Sequence, residues 1–222
     1  MDRGSLPDQI GPRLRRLRTT TGRSLGSVAK EMGISSSALS QMETGVMKPS
    51  VNRLVEFVGV LGLPVSAIFD DHGFFVPTID EDASAVAEPV PGVLVTHAAD
   101  SEPAQLSQGV TYRRLSPAPL PGVDWFESTY PPGSSSSIDG AMLVHAGYES
   151  GYVIRGELTF EFSEGPVRLG AGSSLSFRAT RPHRVLNDTD DVAVAAWLTL
   201  TDAPASGDAP SGDAPSGDAP ST

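Results

Sequence analysis

Two hydrophobic rhythms divide the chain. Over residues 9–70 apolar positions recur at helical spacing. Ile10, Leu14 and Leu17 fall at i, i+4 and i+7, with arginines on the other faces. Gly22 ends this predicted helix, and Ser24 caps a second with an inner stripe of Leu25, Val28, Ala29 and Met32. Gly33 terminates that helix. Ser35 caps a third, in which Ala38, Leu39 and Met42 face inward and Gly45 closes. Pro49 and Ser50 precede a fourth helix carrying Val51, Leu54, Val55, Val58 and Leu61. A short fifth, Pro64–Phe69, follows Gly62.

From about residue 105 the period drops to two. The runs VTYRRL, VDWFESTY, AMLVHA, GYVIRG, ELTFEF, VRLG, SLSFRA, HRVLN and VAVAAWLTL are separated by Gly, Pro, Asn and Asp clusters. Many short strands at this spacing predict a sandwich or barrel. The fold class is therefore multidomain α + β: an N-terminal all-α bundle (9–70), then a C-terminal all-β domain (105–200). Residues 71–104 read as a linker with one short strand, GVLVTH, and with Phe74 and Phe75 packing back on the first domain. Residues 201–222, where SGDAP occurs three times in a row, read as a disordered tail.

Charge refines this division. The formal net charge of −11 argues, taken whole, against nucleic acid. It is unevenly placed: residues 1–70 carry +3, residues 71–200 carry −10 and the tail −4. The acid thus belongs to the β domain, linker and tail, and the helical segment is compatible with DNA. No run of about 18 apolar residues exists to span a membrane. The N-terminus lacks an apolar signal region, so a soluble cytoplasmic protein is expected. The chain has no cysteine, which excludes disulfides, thiolate zinc sites and cysteine nucleophiles.

Two helices joined by a short glycine-containing turn form a helix-turn-helix, whose second helix enters the major groove. The stretch from Arg13 to Phe69 resembles the lambda-repressor-like, XRE-type helix-turn-helix family. Leu25, Val28, Ala29, Gly33, Ile34, Ser35, Leu39, Ser40, Glu43, Gly45, Pro49, Ser50, Leu54 and Leu61 carry the match. The resemblance implies base contacts at Ser36, Ser37, Ser40 and Gln41, of which glutamine can bridge adenine N6 and N7. Arg18, Arg23, Lys48 and Arg53 are candidate phosphate contacts, with helix N-termini adding backbone donors. Glu43 is expected to be structural, bridging to an arginine of the first helix. A homodimer on a two-fold operator in double-stranded DNA is expected.

In the β domain, His145-Ala-Gly-Tyr-Glu149 is followed after six residues by Gly156. Leu169-Gly-Ala-Gly172 precedes Pro182-His183 and Asn187. These stretches resemble the paired motifs of the cupin superfamily, which implies a jelly-roll barrel. The family's first histidine position is Leu143 here, while His145, Glu149 and His183 match the other three ligands. Two histidines and a carboxylate suit a divalent metal, with Fe(II), Mn(II), Ni(II) and Zn(II) all chemically open. The same residues could instead line a metal-free polar pocket. His72 and His97 fit no ligand spacing. Arg114, Tyr130, Tyr152, Arg155 and Arg181 are candidates for holding an anionic effector. Trp125, Phe126, Phe160, Phe162, Phe177 and Trp197 read as core.

Together these features predict a DNA-binding transcriptional regulator whose cupin domain senses a small-molecule effector, with no catalytic residue assigned. The layout also resembles the iron-dependent hydroxypropylphosphonate epoxidase, in which the helical domain is not used for DNA. A dimerising scaffold is the third alternative.

Overall fold

The computed structural model describes residues 10–69, 90, 93–97 and 101–201. Phe74, Phe75, His72 and the SGDAP repeats lie outside the described residues. Val93–His97 form no strand: Val93, Leu94 and Val95 are exposed, without a ladder partner among the described residues.

Four helices build the N-terminal unit: α1 (Ile10–Thr20), α2 (Leu25–Glu31), α3 (Ser36–Glu43) and α4 (Val51–Leu61). Serine side chains set three of the starts. Ser24 accepts from the Ser27 amide, Ser35 from Ala38 and Ser50 from Arg53. Each satisfies a donor that the first turn leaves unpaired. Gly62 ends α4 in the left-handed region at φ 71°, where a Cβ is costly. Leu14, Val28, Ala29, Leu39, Met42, Leu54 and Phe57 are buried together. Arg13 departs from the expected polar face of α1. It is buried, and its guanidinium donates to the Ile68 carbonyl at 3.2 Å. This ties α1 to a 3-10 turn over Val65–Phe69.

The C-terminal domain has two antiparallel sheets. The larger runs β1-β2-β3-β9-β4-β7, formed by Ala104–Gln105, Thr111–Arg114, Val123–Tyr130, Ala193–Leu200, Tyr148–Arg155 and Ser174–Arg178. The smaller runs β6-β5-β8, formed by Gly165–Gly170, Glu157–Phe162 and His183–Leu186. Period-two alternation puts Phe126, Trp197, Glu149, Gly151 and Val153 on the inner face of the larger sheet. Phe160 of β5 meets them, stacked on Trp197 with 5.3 Å between ring centroids. Trp125 alternates the other way and is 45% exposed on the outer face, not in the core. The expected strand AMLVHA shrinks to one bridge, Leu143 to His183, where the two backbones exchange hydrogen bonds of 2.7 and 3.0 Å.

The two domains are joined by specific contacts. Asp124 of β3 is buried and accepts from the Val65 and Ser66 amides at 3.0 and 2.9 Å. Its carboxylate thus caps the 3-10 turn from the barrel side. Asn52 of α4 is also buried. Its amide donates to the Ser136 carbonyl and its side chain to the Ala141 carbonyl, both at 2.9 Å. Phe69 packs against Phe126 at 5.2 Å.

Candidate metal site, ligand cavity and nucleic-acid face

His145, Glu149 and His183 converge. One ligand atom from each lies within 4.8 Å of the others. β4 positions Glu149 and β8 positions His183, while the Leu143 bridge brings His145 alongside. Each histidine Nδ1 faces a backbone carbonyl: Ala146 at 2.9 Å for His145 and Arg181 at 2.7 Å for His183. A carbonyl only accepts, so Nδ1 carries the proton in both rings. Each Nε2 is thereby aimed at Glu149 Oε1, at 2.5 and 3.4 Å. This is the outer-shell arrangement that fixes metal-ligating imidazoles. Glu149 Oε2 is held separately, by the indole N–H of Trp197 at 2.8 Å.

The electrostatics follow from this packing. Burial alone would raise the Glu149 carboxyl, but hydrogen bonds and charge from both histidines outweigh it and hold the group at about 2. Burial works against the His145 cation, yet the Glu149 carboxylate leaves it above the ordinary histidine value. The donor set fits a divalent metal: two imidazole nitrogens and one carboxylate on one side, with other coordination positions open. Buried Leu143 occupies the position of the missing family histidine and makes that side apolar.

The triad lines a cavity of about 650 Å³. Of the expected effector residues, Tyr130 lines it, and burial raises its hydroxyl well above the ordinary range. Arg114, Tyr152, Arg155 and Arg181 do not. Tyr152 and Arg155 sit on the exposed side of β4, and Arg181 pairs with Glu164 at the surface. The guanidinium of Arg114 donates to the Pro117 carbonyl. Phe126, Phe160 and Trp197 are core residues as expected, and they also form cavity wall.

On the helical unit, α3 presents Ser36, Ser37 and Gln41 to solvent, with Ser40 half-buried. Leu39, Met42 and Glu43 face inward. Glu43 is structural: its carboxylate takes both Nε and Nη2 of Arg18, at 2.5 and 2.8 Å. The remaining Arg18 nitrogen donates to the Arg23 carbonyl at 2.9 Å. Arg18 is therefore withdrawn from the phosphate candidates. Arg53 donates to the Met32 carbonyl, Glu56 and Asp139, and so is committed to joining α2, α4 and the barrel. Arg23 pairs with exposed Glu31 and also donates to the Val60 carbonyl and the Ser27 hydroxyl, both at 3.2 Å, and Lys48 reaches Gln105 at 2.7 Å.

Residues 9–68 match the helix-turn-helix domain family, and residues 126–199 match the cupin domain family. The chain thus carries an XRE-type helix-turn-helix domain followed by a C-terminal cupin domain. It is 27% identical over 187 residues to the HTH-type transcriptional regulator PuuR of Escherichia coli, covering 84% of this chain and 90% of that one. Among solved structures it is similar to an HTH_3 family transcriptional regulator from Vibrio cholerae. There the TM-score is 0.59 at 22% identity, over 88% of this chain and 96% of the other. Hydroxypropylphosphonic acid epoxidase from S. wedmorenis is a more distant likeness, with a TM-score of 0.42 at 16% identity over 88% and 99%.

The motifs of this XRE–cupin chain leave out several residues that complete the site. Trp197 anchors Glu149, and Gly151 makes room for it. A Cβ on Gly151 would lie 1.8 Å from the indole. The available signal was a glycine inside a strand run, which marks the close approach of another group. Asn52 and Asp124 had no such signal. Each is a polar residue in an apolar run whose partner is far away in sequence.

Proposed function

We propose that this protein is a sequence-specific DNA-binding transcriptional regulator, acting in the cytoplasm, whose cupin domain binds a small-molecule effector. The observation that carries the reading is the outer face of α3. Ser36, Ser37 and Gln41 stand exposed directly after the Ser35 cap, on the positively charged part of an acidic chain. PuuR is by name a transcriptional regulator, which supports the assignment. Arg23 and Lys48 serve as phosphate contacts, because exposed pairs such as Arg23–Glu31 are weak and exchange readily for phosphate. No helix among the described residues is long and apolar enough to cross a membrane.

A divalent metal, one of Fe(II), Mn(II), Ni(II) or Zn(II), belongs at His145, Glu149 and His183 in this reading. When bound, it supplies a Lewis-acidic point for chelation. The regulator works as a homodimer. The outer face of the larger sheet exposes Trp125, Tyr148, Tyr152, Ile154 and Leu200 together, a patch suited to self-association.

The test is a gel shift comparing DNA upstream of the protein's own gene with random DNA across a salt series. Selective, salt-sensitive binding is expected, with Gln41→Ala losing discrimination more than non-specific affinity. Equal binding to both DNAs would overturn the reading. The triad is the observation that favours a second reading, an oxygen-activating iron enzyme. Stoichiometric iron together with oxygen uptake on addition of a chelating substrate would select it.

A further inference from the structure

The cavity does not belong to the barrel alone. Val51, Val55 and Gly59 follow at i, i+4 and i+8 on one face of α4, and all three line it. The opposite face of α4 carries Leu54 and Phe57 into the helical core. Leu63, Pro64 and Val65 extend the same wall. The DNA-binding unit thus closes one side of the space in which His145, Glu149 and His183 form the other.

Two chemical facts restrict what could fill it. The walls are mostly aliphatic and aromatic, and the carboxylates among them are Glu149 and Asp124. Among the described residues, no lysine or arginine lines the cavity. A carboxylate head would therefore meet no lysine or arginine and would face the Glu149 and Asp124 carboxylates. A metal at the triad reverses that sign. A volume of about 650 Å³ suits an elongated apolar body of small-molecule size.

The connection to α3 is also on the page. The segment from Ser136 to His145 carries a triad histidine at its end. Along its length, the Ser136 and Ala141 carbonyls accept from Asn52, and Asp139 takes Arg53 at 2.8 Å. Arg53 in turn donates to the carbonyl of Met32, at the end of α2 just before the turn into α3. The Asn52 side chain thus ties the segment that carries His145 to α4, and the Arg53 side chain links that segment to the recognition turn.

We propose that the effector site is shared between the barrel and α4. It takes an apolar molecule with one metal-chelating carboxylate head, and Asn52 and Arg53 pass its occupancy to the turn before α3. This rests on the regulator reading and specifies its ligand class and coupling route.

The experiment uses the full chain with Trp125→Phe, so that Trp197 in the cavity wall is the one tryptophan reporter. Co(II) is the metal probe and decanoate the ligand probe. Decanoate should change both Trp197 emission and the Co(II) absorption spectrum. Its affinity should fall at least tenfold when Co(II) is omitted. Gly59→Leu is the decisive variant, because a Cβ at Gly59 meets nothing within 4 Å and leucine favours the helix. It should weaken decanoate at least tenfold, while Co(II) uptake serves as the folding control. Decanoate should also change affinity for the upstream DNA by about fivefold or more, and Asn52→Ala should reduce that change to below twofold.

Wild-type decanoate affinity in Gly59→Leu would overturn the shared site. Equal affinity without Co(II), or no binding at all, would overturn the head-group assignment. A wild-type ligand-linked change in Asn52→Ala would overturn the route. Absence of any DNA selectivity sinks the regulator reading instead, and the Gly59 and Co(II) arms still decide the site.

Discussion

Replacing Gly151 by alanine puts a methyl group inside the indole of Trp197. The added carbon would lie 1.8 Å from Cζ3 and 2.3 Å from Cε3, whereas carbon contacts settle near 3.5–4.0 Å. The ring must therefore retreat by more than a bond length. It cannot do so freely, because Phe160 is stacked on it, with the planes 6° apart. Retreat also breaks the 2.8 Å hydrogen bond to Glu149. Overpacking costs about 1–3 kcal/mol, and losing a hydrogen bond to a buried charged group costs about 1.5–3 kcal/mol. A total loss near 3 kcal/mol lowers the melting temperature by about 12–24 °C for a domain of this size. Urea denaturation and thermal melts measure it, with Trp197→Leu and the double variant completing a cycle. The cost of Gly151→Ala should largely vanish in the Trp197→Leu background. A cost that is unchanged there, or below about 0.5 kcal/mol in the parent, would refute the reasoning.

Three further outcomes are expected. Arg18→Ala leaves buried Glu43 without its partner and should destabilise by about 3–5 kcal/mol, whereas Arg23→Ala should cost under about 1 kcal/mol; equal melting temperatures for the two would contradict the structural assignment of Arg18. His145→Ala should abolish stoichiometric Co(II) uptake in equilibrium dialysis, and full uptake would remove His145 from the ligand set. Asp139 is held below the ordinary carboxylate value by the Ser137 hydroxyl, the Ala141 amide and Arg53. Its contribution is therefore present above the unfolded pKa and is lost as pH falls through the depressed one. Asp139→Asn should destabilise by under about 1 kcal/mol at pH 7, and the difference from the parent should disappear in acid; a difference that grows on acidification would contradict this sign.

The element boundaries of the helical unit were legible because local chemistry sets them. Ser24, Ser35 and Ser50 cap within three residues of themselves, and Gly62 ends α4 on its own backbone preference. The triad was legible because its spacing matches a family pattern. The effector residues were not. Arg114, Tyr152 and Arg181 were chosen by residue type, but strand alternation and surface pairing place them elsewhere. The cavity wall that α4 supplies leaves a trace in the width of its apolar arc. Val51, Leu54, Val55, Phe57 and Val58 span an arc of about 160° at 3.6 residues per turn, wide enough to meet both the helical core and the cavity. The phosphate candidates show the opposite limit. Arg18, Arg23 and Arg53 differ only in what faces them, and the partners that decide it, Glu43, Val60 and Asp139, lie 25, 37 and 86 residues away.

The central claim, that α3 reads operator DNA, is tested most directly by footprinting the protein on the DNA upstream of its own gene. The account predicts protection of two symmetric half-sites about one helical turn apart, with Gln41→Ala erasing the protected pattern. Uniform protection at every protein concentration, unchanged by Gln41→Ala, would contradict it.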